Sequence, residues 1–210
     1  LRKGSSGLAE SYMKGDFETE DLTSLIELSA MNINTTHGFV GFFEFSFIKN
    51  FIKNKIFSNT KNISKKNISK HYDLGNTFFS TWLDKTLTYS CGIFNSSNET
   101  LEQAQINKYN KLIKMVNPSK GDKVLEIGCG WGGFAEYIGK NFDVKLDCIT
   151  ISKKQYEYAS ERIHKNNLNE KVKIKMMDYR DVQNKYNSIA SIEMIEAVGE
   201  NYLKNYFQTI

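Results

Sequence analysis

The feature that most constrains this chain is a six-residue run, Gly128-Cys129-Gly130-Trp131-Gly132-Gly133, between a short β-type stretch, Lys123 to Ile127, and a helical one, Phe134 to Lys140. Glycines at a strand-to-helix turn let the backbone approach a ligand closely, and the start of the helix offers it N–H groups. Gly128-x-Gly130-x-x-Gly133 in that context is a signal shared by several nucleotide-type cofactors. No Gly-Lys-Ser/Thr is present, which excludes a P-loop. An NAD site would carry Asp or Glu at the end of the second strand, where this chain has Thr150-Ile151-Ser152. The acidic residue stands instead two positions before the first glycine, as Glu126.

The surroundings of the loop repeat its strand-then-helix order. Leu101, Ala104, Leu112, Ile113 and Val116 recur at helical spacing over Thr100 to Val116, and Asn117-Pro118 stops that helix. Ser119 to Asp122 reads as a turn. Val144 to Ile151, Val172 to Met177 and Ser188 to Ile192 read as further strands, Ser152 to Asn166 as a helix, and Asn201 to Ile210 as the start of another. This alternation specifies an α/β, Rossmann-like, doubly wound sheet of parallel strands. Four strands are few for that architecture and the chain does not open on Met, so the sheet is expected to be C-terminally incomplete and the chain part of a longer protein.

Composition removes several classes. The 210 residues are 40% apolar and 25% charged, enough for a core and too apolar for a disordered chain. Cys91, Cys129 and Cys148 form no Cys-x-x-Cys pair and no metal-ligand spacing with the three histidines, so neither a disulfide framework nor a metal centre is expected. Cys129 and Cys148 read as small buried fillers, and His164 as exposed or a helix-end partner. The most apolar stretch, Gly38 to Ile48, is too short to span a membrane, and a secretory signal pattern is lacking; a cytoplasmic location follows as the expectation. Net charge is +4, but Lys49, Lys53, Lys55, Lys61, Lys65, Lys66 and Lys70 stand in a segment with no acid, downstream of the aromatic stretch Phe39 to Phe57. That pairing suits docking on an anionic membrane, or equally a core-facing helix followed by a solvated linker. Nucleic-acid binding has only the lysines behind it and is not expected. The organisation expected is a partial N-terminal domain over 1–58, a basic linker over 59–70 and the α/β domain over 71–210.

Acid-x-Gly-x-Gly at a first strand resembles the S-adenosylmethionine methyltransferases, although the loop alone also allows a dinucleotide site or a structural turn. The flanking motifs decide between them. In order they are His71-Tyr72-Asp73-Leu74-Gly75-Asn76, Leu87-Thr88-Tyr89-Ser90-Cys91, Leu101-Glu102-x-Ala104-Gln105-x-x-Lys108, the glycine loop, Thr150-Ile151-Ser152-x-x-Gln155, Asp178-Tyr179-Arg180-Asp181 and Glu193-Met194-Ile195-Glu196-Ala197-Val198-Gly199. The series resembles the cyclopropane-fatty-acyl-phospholipid synthase family, which includes mycolic acid cyclopropane synthases. Ser11-Tyr12-Met13-x-Gly15 is similar to part of that family's smaller N-terminal domain.

The resemblance implies two cofactors, S-adenosyl-L-methionine and a bicarbonate ion. Tyr89 and Ser90 would close over the methionine end. Val124, Leu125, Glu126, Ile127, Gly128, Cys129, Gly130, Trp131 and Gly132 would line the amino-acid moiety and ribose. Thr150, Ile151, Ser152 and Gln155 would hold the ribose, and Asp178, Tyr179 and Arg180 would border the adenine, with the Tyr179 phenol able to stack on a purine. Cys91 and Glu196 match the positions that help hold bicarbonate and are the implied catalytic pair. The implied reaction adds a methylene carbon across a cis double bond of an unsaturated phospholipid acyl chain, with the enzyme peripherally associated with the membrane and a homodimer compatible with it. A fatty-acid methylating relative, a small-molecule N-methyltransferase and a non-catalytic cofactor-binding remnant are the alternatives. Ala197 and Ile93 depart from the family pattern, at positions that bear on the substrate more than on the cofactor.

Overall fold

A computed structural model describes residues 4–32 and 75–210. The lysine block, the Phe39 to Phe57 stretch, the linker and His71 to Leu74 lie outside the described residues. The chain divides into two compact units, Leu1–Ile56 and Phe57–Ile210. In the first, α1 (Gly4–Met13) and α2 (Leu22–Met31) are joined by a short turn, and Asp21 caps α2 by accepting the Ser24 N–H at 3.0 Å.

In the second unit α3 (Asn76–Ser80) precedes α4 (Leu101–Val116), which starts at a Thr100/Gln103 capping box and ends at Asn117 in the left-handed conformation, just before Pro118. Then come β1 (Lys123–Ile127), α5 (Gly133–Asn141), β2 (Lys145–Thr150), α6 (Lys153–Lys165), β3 (Val172–Met176), a 3-10 turn (Tyr179–Asp181), β4 (Ser188–Ser191), α7 (Ile195–Val198), a second 3-10 turn (Glu200–Tyr202) and α8 (Leu203–Thr209). The expected elements are present. Ser152 and Asn166 cap α6 rather than belonging to it, and the final helix is divided into the second 3-10 turn and α8.

The four strands pair in parallel in the order β3-β2-β1-β4. Alternate residues of β1 point to opposite faces. Val124 joins a core with Ile113, Phe134, Ile138, Leu146 and Ile163 under α4, α5 and α6. Leu125 and Ile127 join the other core with Ile149, Tyr179, Val198 and Tyr206. Burying each such side chain contributes about 1.5–3 kcal/mol. The chain leaves β1 toward β2 and β3 and returns to its other side as β4, so the strand order reverses beside β1. At such a switch point the connections leave the carboxyl ends of the strands in opposite directions and open a crevice. Among the described residues no helix is long and apolar enough to cross a membrane, and no cluster of His, Cys, Asp and Glu could hold a metal ion.

Candidate functional site

The crevice above β1 and β4 is a cleft whose floor is the glycine loop. The N–H groups of Gly128 and Cys129 both donate to Ile149 O, at 2.9 and 3.1 Å, so the start of the loop is tied to β2. Gly130 has φ +53, and a Cβ built on it would meet nothing within 4 Å. It lines the cleft, and the space a side chain would fill is therefore ligand space. Gly133 is constrained differently: a Cβ there would lie 2.7 Å from Tyr109 Oη and 2.8 Å from Thr86 O. Glu126, only 3% exposed, reaches the cleft from β1, and its Oε2 has no hydrogen-bond partner. Burial pushes its pKa up to about 7, opposed by a hydrogen bond with Cys148.

Residues 75–91 cover the loop. Trp131 Nε1 donates to Asn76 Oδ1 at 2.8 Å, and the Phe79 ring sits 4.8 Å from the Trp131 ring. Phe79, Trp82 and Tyr89 pack as one aromatic cluster. Two helices hold the segment down. From α6, Arg162 donates to Thr86 O and Lys85 O while pairing with Glu136 of α5. From α4, Gln105 Nε2 donates to Ser90 O at 2.8 Å, and Lys108 Nζ donates to Ser90 Oγ and to Cys91 O, the latter at 2.7 Å. Tyr109 bonds to Thr88 Oγ1. Lys108 is 5% exposed; burial lowers its pKa, while nearby Cys91 and Glu193 work against that.

The far wall comes from the ends of β2, β3 and β4. Thr150 Oγ1 donates to Gln155 Oε1 at 2.9 Å. Asp178 caps the first 3-10 turn and accepts Arg180 Nε and Nη2 at 2.8 and 2.6 Å. Glu193, in the turn after β4, has φ +45, and its Oε1 accepts the Cys91 N–H at 2.8 Å. Burial works against its ionisation, but hydrogen bonds from Cys91 and the Lys108 charge carry its pKa below the usual carboxylate value.

The family model of the mycolic acid cyclopropane synthetases matches residues 59–210. The chain belongs to that family. It is 36% identical over 155 residues to a probable fatty acid methyltransferase of Pseudomonas putida, a match covering 73% of this chain and 39% of that protein. Over 218 aligned positions it is 33% identical to the cyclopropane-fatty-acyl-phospholipid synthase of Escherichia coli K12, covering all of this chain and 53% of that protein. The chain thus spans about half the length, or less, of these curated relatives. Among solved structures it matches mycolic acid cyclopropane synthase CmaA1 complexed with SAH and CTAB, with a TM-score of 0.66 and 28% identity over 69% of this chain and 51% of that one.

The cyclopropane synthetase motifs largely converge. Tyr89, Ser90, Glu126, Ile127, Gly128, Cys129, Gly130, Trp131, Thr150, Ile151, Gln155, Asp178, Tyr179 and Arg180 all line the one cleft. Val124 and Leu125 lie deeper in the two cores, Gly132 packs against Ala159 of α6, and Ser152 caps α6. Tyr179 touches the cleft but is buried edge-on to Tyr206, 5.2 Å between ring centres, so much of its ring belongs to the core. Cys91 is exposed, and Glu196 is exposed on α7; neither is among the residues lining the cleft. Cys129 and Cys148 are buried as expected, and His164 is exposed. Sequence reasoning gave no role to Gln105, Lys108, Arg162 or Glu193. Gln105 and Lys108 fall inside one motif, one helical turn apart, and Glu193 opens another; only their contacts with residues 88–91 reveal what they do.

Proposed function

We propose that the cleft binds S-adenosyl-L-methionine and serves methyl transfer to a cis double bond of a lipid acyl chain. The observation that carries the cofactor reading is the buried Glu126 carboxylate, with one oxygen unpartnered, beside the open face of Gly130. A buried acceptor of that kind fits the ammonium of a methionine moiety. It is wrong for a dinucleotide: a diphosphate would meet a carboxylate, and the Gly128 and Cys129 N–H groups needed to cradle it are engaged by Ile149 O.

When bound, S-adenosylmethionine supplies an electrophilic methyl on a sulfonium. Glu126 and the glycine loop would hold its amino-acid end, Thr150 and Gln155 the ribose, and Asp178 to Arg180 the adenine. An alkene is a weak nucleophile, so rate depends on holding it in line with the methyl in a site that excludes water. Residues 75–91 provide that cover, and Tyr89 and Trp131, which line the cleft, offer ring faces worth about 0.5–2 kcal/mol each to a substrate cation. The acyl-chain reading draws on the family and on the relatives' printed activities, and the membrane-facing role of Lys49 to Lys70 on their charge.

Titration calorimetry of this chain with S-adenosylhomocysteine and, separately, NADH tests the cofactor reading. S-adenosylhomocysteine binds, NADH does not, and Gly130→Val binds neither, because a branched side chain enters the ligand space at a φ that disfavours it. NADH binding in place of S-adenosylhomocysteine would refute the assignment.

A further inference from the structure

Gln105 and Lys108 stand one helical turn apart on α4, so both side chains leave the same face and reach the same short stretch of the cover. Gln105 Nε2 donates to Ser90 O at 2.8 Å and Lys108 Nζ to Cys91 O at 2.7 Å, which fixes two successive carbonyls. Lys108 Nζ also donates to Ser90 Oγ. An ammonium carries three donors and no acceptor, whereas a hydroxyl carries one proton and two lone pairs. The direction of this bond is therefore forced: Ser90 Oγ accepts, and its own proton is left for another partner. Among the described residues nothing takes that proton. The buried Gln105 Oε1, on the amide that reaches Ser90 O, is itself without a partner. Ser90 lines the cleft, so the proton is left for a ligand.

We propose that Lys108 is a positioning residue for the cleft: by occupying a lone pair of Ser90 Oγ it makes that hydroxyl a dedicated donor, and the cover thereby selects a ligand with an anionic group at that place, the α-carboxylate of an S-adenosylmethionine-type molecule. The identity of the ligand rests on the cofactor reading above. Charge divides the work between the two walls. Glu126 is an acid and suits the ammonium, while the carboxylate on the same carbon needs donors, and the Gly128 and Cys129 N–H groups are engaged by Ile149 O. Lys108 is not among the residues lining the cleft, so it acts through Ser90. Burial works against its charge, and Cys91, Glu193 and Asp84 favour it. A hydroxyl that accepts from a cation also donates more strongly, so the lysine sharpens the donor as well as orienting it.

Titration calorimetry of this chain with S-adenosylhomocysteine and with its decarboxylated analogue, which keeps the ammonium and the adenosine, isolates the carboxylate. The readout is the ratio of the two affinities, in which damage to the cover that weakens both ligands alike cancels. Ser90→Ala lowers the preference for S-adenosylhomocysteine about tenfold or more, as expected for one hydrogen bond to a charged group, and it leaves the backbone contacts of Gln105 and Lys108 in place. Lys108→Met, similar in length and without a donor, lowers the ratio about threefold or more, because the ligand must then select one of three staggered hydroxyl positions. In the Ser90→Ala background Lys108→Met changes the ratio no further. Lys108→Arg, again a donor without an acceptor, keeps the wild-type ratio. A ratio unchanged in Ser90→Ala overturns the proposal without any change at the buried lysine. A Lys108→Met effect that persists undiminished in Ser90→Ala also overturns it, since the lysine would then act on the carboxylate by its charge alone. So does a proportional loss of both affinities in Lys108→Met, the mark of a structural prop, or a ratio that falls as far in Lys108→Arg as in Lys108→Met. Failure of the wild type to bind either ligand refutes the cofactor reading and this proposal with it, whereas binding of both with ratios that ignore the variants refutes the role of Lys108 alone.

Discussion

Replacing Glu126 by Gln separates the energetics of the fold from those of the cleft, because the two respond to pH in opposite directions. Burial raises the Glu126 pKa from an ordinary 4.5 to about 7. An acid whose pKa is higher in the folded state binds more protons folded than unfolded. Its contribution to stability is therefore intact below about pH 4.5, falls through the window up to about 7, and is fully lost above it. Two and a half pH units at 1.36 kcal/mol each put the loss on the order of 3 kcal/mol. Glu126→Gln stays neutral throughout. Urea unfolding of both proteins from about pH 4 to about pH 8.5 should give nearly equal stabilities at the acid end and a variant more stable by on the order of 3 kcal/mol at the alkaline end. Other titrating groups are common to both proteins and cancel in the difference. Affinity for S-adenosylhomocysteine runs the other way: it strengthens in wild type as Glu126 ionises through about pH 7, and it is flat with pH and weaker in Glu126→Gln. A stability difference constant across that window would refute the buried-carboxylate argument. Equal affinities at pH 8 would refute the role of Glu126 in holding the ammonium.

The remaining predictions concern the cover and the approach to lipid. Gly133→Ala places a methyl 2.7 Å from Tyr109 Oη and 2.8 Å from Thr86 O; it should cost about 1–3 kcal/mol in urea unfolding and raise hydrogen exchange across residues 86–91. Changing four of the lysines between Lys49 and Lys70 to Gln should reduce co-sedimentation with anionic liposomes at low salt, each lysine near the surface being worth about 1 kcal/mol. The difference should disappear near 1 M salt, where the screening length is about 3 Å, and equal sedimentation at low salt would mark the block as an ordinary solvated segment.

What could be read from the sequence and what could not differ in the range of the interactions involved. β1, bounded at Lys123 and Ile127, and α4, ending at Val116, are legible because Asn117-Pro118, the Ser119 to Asp122 turn and the glycine loop act within a few residues of the elements they delimit. The glycine loop was equally plain as a motif, yet its glycines do different work: Gly130 faces ligand space, whereas Gly133 faces the phenol of α4's Tyr109. Nothing in the six letters separates those roles. Tyr179 lines the cleft and also meets Tyr206 edge-on, a contact made only once α8 has folded back and one that no local pattern signals. Gln105 and Lys108 carry polar letters on an amphipathic helix, and spacing alone gives them no role; they are buried, and they donate to the carbonyls of Ser90 and Cys91. Glu193 is the extreme case. Its neighbour in the motif, Glu196, drew attention through the family pattern, while Glu193 gains its partner from a loop 102 positions earlier and from a backbone conformation that sequence does not specify for glutamate. A carboxylate kept at a strained φ, with its partner on the segment that covers the cleft, is the arrangement that local patterning is least able to predict, and strain of this kind tends to collect at working sites.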